Sequence, residues 1–182
     1  VYLVRRFILG LAHPDIAVTC QYDLLDDYHS KEYNPEANFG IIRADHSRKP
    51  AFYAVQRMNS LFNGYSFDPD PVVKVLSQPL HRSCKRGVLV KSWDSVPMQA
   101  NNEVLAFAFK NDKSNKMLAV WSAQPYSREF NNRVCSISIK GVNGYSGKPV
   151  AVDLITGMSY DVPFKYADGT VTIDKLSLKG NP

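Results

Sequence analysis

The sequence predicts two kinds of fold in one chain, the end of a (β/α)8 barrel followed by an antiparallel β-sandwich. Two stretches with apolar residues at helical spacing lie within residues 1–64, and a short apolar run at 16–23 separates them. After Gly64 the spacing changes to the alternation that is typical of short strands joined by polar turns. A chain of 182 residues, 45% of them hydrophobic, is long enough to bury a core.

The first predicted element is a helix that ends before Pro14, where the proline cannot continue it. Its apolar stripe follows the helical repeat and consists of Val1, Val4, Phe7, Ile8 and Leu11. The chain begins with Val1 instead of an initiator methionine, and no capping residue precedes the helix. We therefore expect this chain to be part of a longer protein.

The apolar run that follows predicts a buried strand at 16–23, because it is rich in β-branched and aromatic residues. Cys20 lies in this strand among apolar neighbours, so we expect a buried, inert thiol and not a nucleophile. A polar, acidic loop at 24–37 comes next, and residues 38–45 predict a short extended segment that ends in a turn.

The second helix has the clearest local signals in the chain. Pro50 suits the first helical turn, and Asn63-Gly64 supplies a left-handed stop. Between them, apolar side chains recur at i, i+3, i+4 and i+7, and they are Ala51, Ala54, Val55, Met58, Leu61 and Phe62. We expect this stripe to face the protein interior.

The remaining two thirds of the chain predict only strands. The short apolar runs that indicate them lie at 72–76, 87–93, 104–109, 117–122, 134–139, 150–154, 158–162 and 170–173. Turn-forming residues separate the runs, which favours an antiparallel β-sandwich. Because the stiff sequence DPDP lies at 68–71, we divide the chain into a barrel-end domain at 1–66 and an accessory domain at 67–182.

Three motifs in the first region occur in an informative order. They are YDLLDDY at 22–28, NFGIIRAD at 38–45 and KPAFYAVQRM at 49–58. Together they resemble the closing strand and helix of clan-A glycoside hydrolases, which are (β/α)8-barrel enzymes. The later sequences AVW at 119–121 and VDLITG at 152–157 look like the small β-sandwich that often follows such barrels.

The resemblance implies which residues contact substrate. Side chains at the carboxyl ends of the strands form the active site of a (β/α)8 barrel. Tyr22 would stack on the apolar face of a sugar ring, while Asp23, Asp26 and Asp27 would accept hydrogen bonds from sugar hydroxyls. The two catalytic carboxylates of the clan lie at the ends of the fourth and seventh strands, and the resemblance implies that both strands would precede Val1. We therefore assign no catalytic residue to this chain and expect it to be inactive alone.

The acidic loop also allows a second interpretation, a calcium site, since carboxylate oxygens are the ligands that calcium prefers. Its candidate ligands are Asp23, Asp26, Asp27, Glu32 and Glu36, and His29 lies among them. The loop lacks the D-x-D-x-D-G spacing, so we favour a solvated or substrate-facing loop and expect neither a metal nor another cofactor. The expected partners are a carbohydrate substrate and the rest of the barrel.

Two other partner classes are not expected. No stretch of 18 apolar residues is present, so the sequence predicts no membrane span. The formal net charge of +5 is scattered, and aromatic and basic residues do not alternate, so we expect no nucleic-acid partner.

Two rival functions remain open for the β-rich part, a non-catalytic carbohydrate-binding module and a purely structural domain that packs on a barrel. Trp93 and Trp121 distinguish them. Exposed, coplanar aromatic side chains on one sandwich face would favour sugar binding, whereas aromatic side chains in the core would favour a structural role.

Overall fold

The structure is a computed structural model that describes residues 2–27, 34, 36–77, 89–91, 97–99, 104–122 and 132–179, in places by backbone only. Its helices are α1 (Tyr2–Ala12) and α2 (Pro50–Phe62), with a 3₁₀ turn at Glu36–Asn38. The strands are β1 (Tyr65–Phe67), β2 (Val72–Ser77), β3 (Leu89–Lys91), β4 (Pro97–Gln99), β5 (Val104–Asn111), β6 (Lys116–Ser122), β7 (Asn132–Lys140), β8 (Val150–Val152), β9 (Ser159–Asp161), β10 (Phe164–Ala167) and β11 (Thr170–Lys179).

The chain divides into two compact units. The first comprises Val1–Phe67, Lys110–Asn115 and Val150–Tyr160. The second comprises Asp68–Phe109, Lys116–Pro149 and Asp161–Pro182. The division expected from sequence falls at residue 66, and two later segments also belong to the first unit.

Both helices form where the sequence predicts them. Pro50 occupies the first turn of α2, and Gly64 adopts a φ of 77° just after the helix, where only glycine is unstrained. Three members of the predicted apolar stripe of α2, Ala54, Met58 and Phe62, are buried, whereas a fourth, Leu61, is exposed. Local sequence signals therefore determine this helix.

Antiparallel pairing dominates the second unit. Its largest sheet has the strand order β10-β11-β7-β2, and every pair in it is antiparallel. Ile137 and Cys135 of the central strand β7 are fully buried, and burial raises the pKa of the Cys135 thiol. β5 and β6 are neighbours in a further sheet, as are β3 and β4. The predicted antiparallel β part is confirmed, and its arrangement is consistent with a sandwich.

The segment at 16–23 differs from its prediction, because the structure has no strand there. A strand forms only where a neighbouring strand accepts and donates its main-chain hydrogen bonds. No described segment pairs with residues 16–23, and the part of the chain that the structure describes contains no closed barrel. Cys20 is exposed for the same reason, so the prediction of a buried thiol is wrong.

Helix α2 holds the turn between β8 and β9 within the first unit. Arg57 Nη1 donates hydrogen bonds to the carbonyl oxygens of Leu154 and Ile155, at 3.0 and 2.6 Å. Asp153 Oδ1 accepts the Ile155 N–H at 2.8 Å, and Gly157 completes the turn with a φ of 78°. The VDLITG sequence thus forms a capped turn whose carbonyls bind one arginine.

Candidate functional site

The predicted sugar-contacting side chains begin where the apolar segment ends. Tyr22 is 77% exposed, and the peptide bond between Tyr22 and Asp23 is cis. Asp23 is also exposed, and its Oδ1 accepts the backbone N–H of Leu24 at 2.5 Å. Both side chains are therefore accessible to a ligand.

Asp26 lies in a different environment from its neighbours in the acidic loop. Its side chain is only 4% exposed, and Lys49 Nζ lies 2.7 Å from its Oδ1. The same Lys49 Nζ donates to the carbonyl oxygen of Asn38 at 3.0 Å. A buried carboxylate needs such a partner, because removing a charge from water is costly. The Asp26–Lys49 pair therefore fixes the acidic loop against the start of α2.

Backbone hydrogen bonds hold the rest of this loop. The N–H groups of Ile41 and Ile42 both donate to the Leu24 carbonyl at 3.0 Å, and the Asp26 N–H donates to the Ile42 carbonyl at 2.9 Å. Asp27 is exposed, and its N–H donates to the Ala37 carbonyl at 3.0 Å. The loop thus buries Asp26 and presents Asp27 at the surface.

Gly40 is buried where the NFGIIRAD motif meets the acidic loop. A Cβ atom added there would lie 2.5 Å from the carbonyl carbon of Leu25 and 2.8 Å from Asp26 Oδ1. Gly40 does not have a positive φ, so its backbone angle does not require glycine. Glycine is needed because the two backbones approach closely.

The end of the same motif forms a compact turn. Arg43 Nη1 donates to Ser47 Oγ at 3.1 Å, and Asp45 Oδ1 accepts the Ser47 N–H at 2.9 Å. Two hydrogen bonds from Ser47 lower the pKa of the Asp45 carboxyl. The hydrogen bond from the Ser47 side chain has the larger effect, and the one from its backbone N–H has the smaller effect. Asp45 is exposed, so it serves the turn and forms no part of a buried site.

Lys49 and Phe39 have features in the structure that the sequence does not indicate. The local sequence around Lys49 does not indicate its contact with Asp26, because the two residues are 23 positions apart in the chain. Phe39, in the second motif, has a side chain that is 48% exposed. The exposure of Phe39 depends on how the loops fold, and no local pattern signals it.

A metal site finds no support in the part of the acidic loop that the structure describes. Among the described residues, no group of three or more His, Cys, Asp or Glu side chains could hold a metal ion. His29 and Glu32 lie outside the described residues. Asp26, one of the proposed calcium ligands, pairs with Lys49.

Of the two tryptophans that distinguish the rival functions, the structure describes Trp121. Trp121 is half-buried, and its ring stacks on that of Phe107 with centroids 5.4 Å apart and planes inclined by 21°. This contact favours a packing role for Trp121. Trp93 lies outside the described residues.

Comparison with known proteins finds no match for this chain. No family model matches the chain, and neither the curated proteins nor the solved structures include a match. Among the described residues, no helix combines the length and the apolar character needed to cross a membrane.

Proposed function

We propose that this chain is the C-terminal part of a clan-A glycoside hydrolase that cleaves O-glycosidic bonds, and that it forms one wall of the sugar pocket. One observation carries the proposal. Lys49, from the third motif, contacts Asp26 of the first motif and Asn38 of the second. The ammonium group of Lys49 thus connects residues of all three motifs, as expected if the motifs form a single functional unit.

The exposed apolar segment at 16–23 supports the barrel part of the proposal. Ile16 is 47% exposed and Val18 is 75% exposed, although both are β-branched, apolar residues. A groove of about 530 Å³, lined by residues such as Leu11, Ala17 and Met58, lies beside this segment. In a (β/α)8 barrel, the side chains of such a strand are covered on one face by the packed barrel interior and on the other by the outer helices.

The environments of the four predicted sugar-contacting residues suggest separate roles. We assign Tyr22 to stacking on the sugar, and Asp23 and Asp27 to accepting hydrogen bonds from its hydroxyls. Asp26 is buried against Lys49, so it holds the loop in place from behind. The catalytic acid and nucleophile lie in the part of the enzyme outside this chain.

A variant of Tyr22 tests this assignment in the longer enzyme that contains the chain. Tyr22→Ala should raise KM for aryl glycosides by about tenfold, because lost apolar stacking weakens binding by roughly 1–3 kcal/mol. Tyr22→Phe keeps the ring and should stay near the parent value. Steady-state kinetics measure both.

A second exposed tyrosine provides a matched control. Tyr2 on α1 is 64% exposed, and Tyr2→Ala should leave KM unchanged. If Tyr22→Ala also left KM and kcat unchanged, Tyr22 would not contact the sugar, and its assignment would be wrong.

A further inference from the structure

Gln21, next to Tyr22, connects three parts of the first unit. Its Nε2 donates to the carbonyl oxygens of Tyr22 and Phe39, at 2.7 and 3.2 Å. Its Oε1 accepts a hydrogen bond from Arg6 Nη2 at 2.7 Å. The same Arg6 nitrogen also donates to the Cys20 carbonyl at 2.8 Å. One amide side chain therefore joins the end of the apolar segment, the NFGIIRAD turn and helix α1.

The two residues that Gln21 connects carry exposed aromatic side chains. Tyr22 is 77% exposed and Phe39 is 48% exposed, and their carbonyls share a single donor nitrogen. An exposed aromatic ring offers an apolar face on which the apolar face of a sugar can stack. Exposed Asp23 and Asp27 follow in the same loop and can accept hydrogen bonds from hydroxyls.

We propose that Phe39 is a second sugar-binding aromatic residue beside Tyr22, and that Gln21 is the positioning residue that holds the two as one surface. This inference rests on the proposed glycoside hydrolase function. Gln21 can do this because its amide group is oriented at both ends. Because Arg6 donates a hydrogen bond to the amide oxygen of Gln21, the amide nitrogen faces the two carbonyls.

Because the amide of Gln21 both donates and accepts hydrogen bonds, one substitution can remove the donor and keep the acceptor. Gln21→Glu keeps an acceptor for Arg6 and strengthens that contact by charge, but it cannot donate to the Tyr22 and Phe39 carbonyls. Glutamate also has nearly the same shape, so the fold should persist. Gln56→Glu, the same change at an exposed position of α2, is the matched control.

The test uses the longer enzyme and a panel of unbranched gluco-, xylo- and manno-oligosaccharides. Gln21→Glu should raise KM about fivefold, since lost hydrogen bonds of this kind are worth about 1 kcal/mol. Phe39→Ala should raise KM about fivefold as well, because it removes an aromatic ring that would stack on the sugar. Both variants should keep kcat within about twofold. Gln56→Glu should change neither constant. In a Tyr22→Ala/Phe39→Ala background, Gln21→Glu should cause no further loss, whereas general destabilisation would add its effect in any background.

The outcomes separate this inference from the proposed function. If Tyr22→Ala raises KM while Gln21→Glu or Phe39→Ala does not, the inference is overturned and the proposed function stands. If the longer enzyme hydrolyses none of the glycosides, both fail. A full additional loss from Gln21→Glu in the double-alanine background would also overturn the positioning role.

Discussion

Replacing Lys49 with methionine should lower the free energy of unfolding by about 3 kcal/mol, because it leaves the Asp26 carboxylate buried without its counter-ion. The Asp26 side chain is 4% exposed, and Lys49 Nζ lies 2.7 Å from its Oδ1. Methionine keeps most of the side-chain length, so little packing is lost. The variant also removes the hydrogen bond to the Asn38 carbonyl. Urea unfolding measures the loss, and faster hydrogen exchange at the Asp26 amide locates it.

Two further variants separate the buried charge from other effects of this change. Lys113→Met alters an exposed lysine of the same unit and should leave stability within about 0.5 kcal/mol. Adding Asp26→Asn to Lys49→Met should recover part of the loss, because no buried charge then remains. If Lys49→Met were as stable as Lys113→Met, the ion pair would not hold the acidic loop.

Gly40→Ala should be about as disruptive, with an expected loss of roughly 3 kcal/mol from steric overlap. The new Cβ would lie 2.5 Å from the carbonyl carbon of Leu25 and closer still to the Asp26 nitrogen. Both are backbone atoms, so no change of rotamer relieves the overlap. The acidic loop must move away, and we expect the Asp26–Lys49 pair to weaken with it. Urea unfolding again gives the magnitude.

Gly147 supplies the matched control for Gly40. It also lacks a positive φ, and a Cβ added there would come no closer than 3.9 Å to the Tyr145 hydroxyl. Gly147→Ala should therefore be neutral or slightly stabilising, since alanine restricts the unfolded chain. Equal stability of the Gly40→Ala and Gly147→Ala variants would contradict the close approach of the two backbones.

Elements with local causes could be predicted from the sequence. Helix α2 follows from Pro50, an apolar stripe and Asn63-Gly64, all within 15 positions of one another. A strand occurs in each of the eight ranges where strands were predicted after residue 70. The missed strands β1, β4 and β10 have only three or four residues, too few to show a period.

Features with distant causes could not be predicted from the sequence. Asp26 and Asp27 are adjacent acidic residues, and nothing nearby indicates that only Asp26 is buried. That difference depends on Lys49, 23 positions away. The segment at 16–23 has the composition of a buried strand, but pairing requires a neighbouring strand, and no described segment provides one. The sequence likewise does not show whether glycine is needed at position 40 for its backbone angle or for the close approach of two backbone segments.

A hydrolysis assay tests the central claim most directly. The proposed function requires a longer protein that contains this 182-residue chain, and the two would be compared on one panel of aryl glycosides. We expect the longer protein to hydrolyse at least one glycoside and to lose that activity when either of two upstream carboxylates is replaced, because both are needed for acid/base cleavage. The isolated chain should hydrolyse none. Turnover by the isolated chain that disappears with a single carboxylate variant of its own, or a longer protein inactive on the whole panel, would contradict the account.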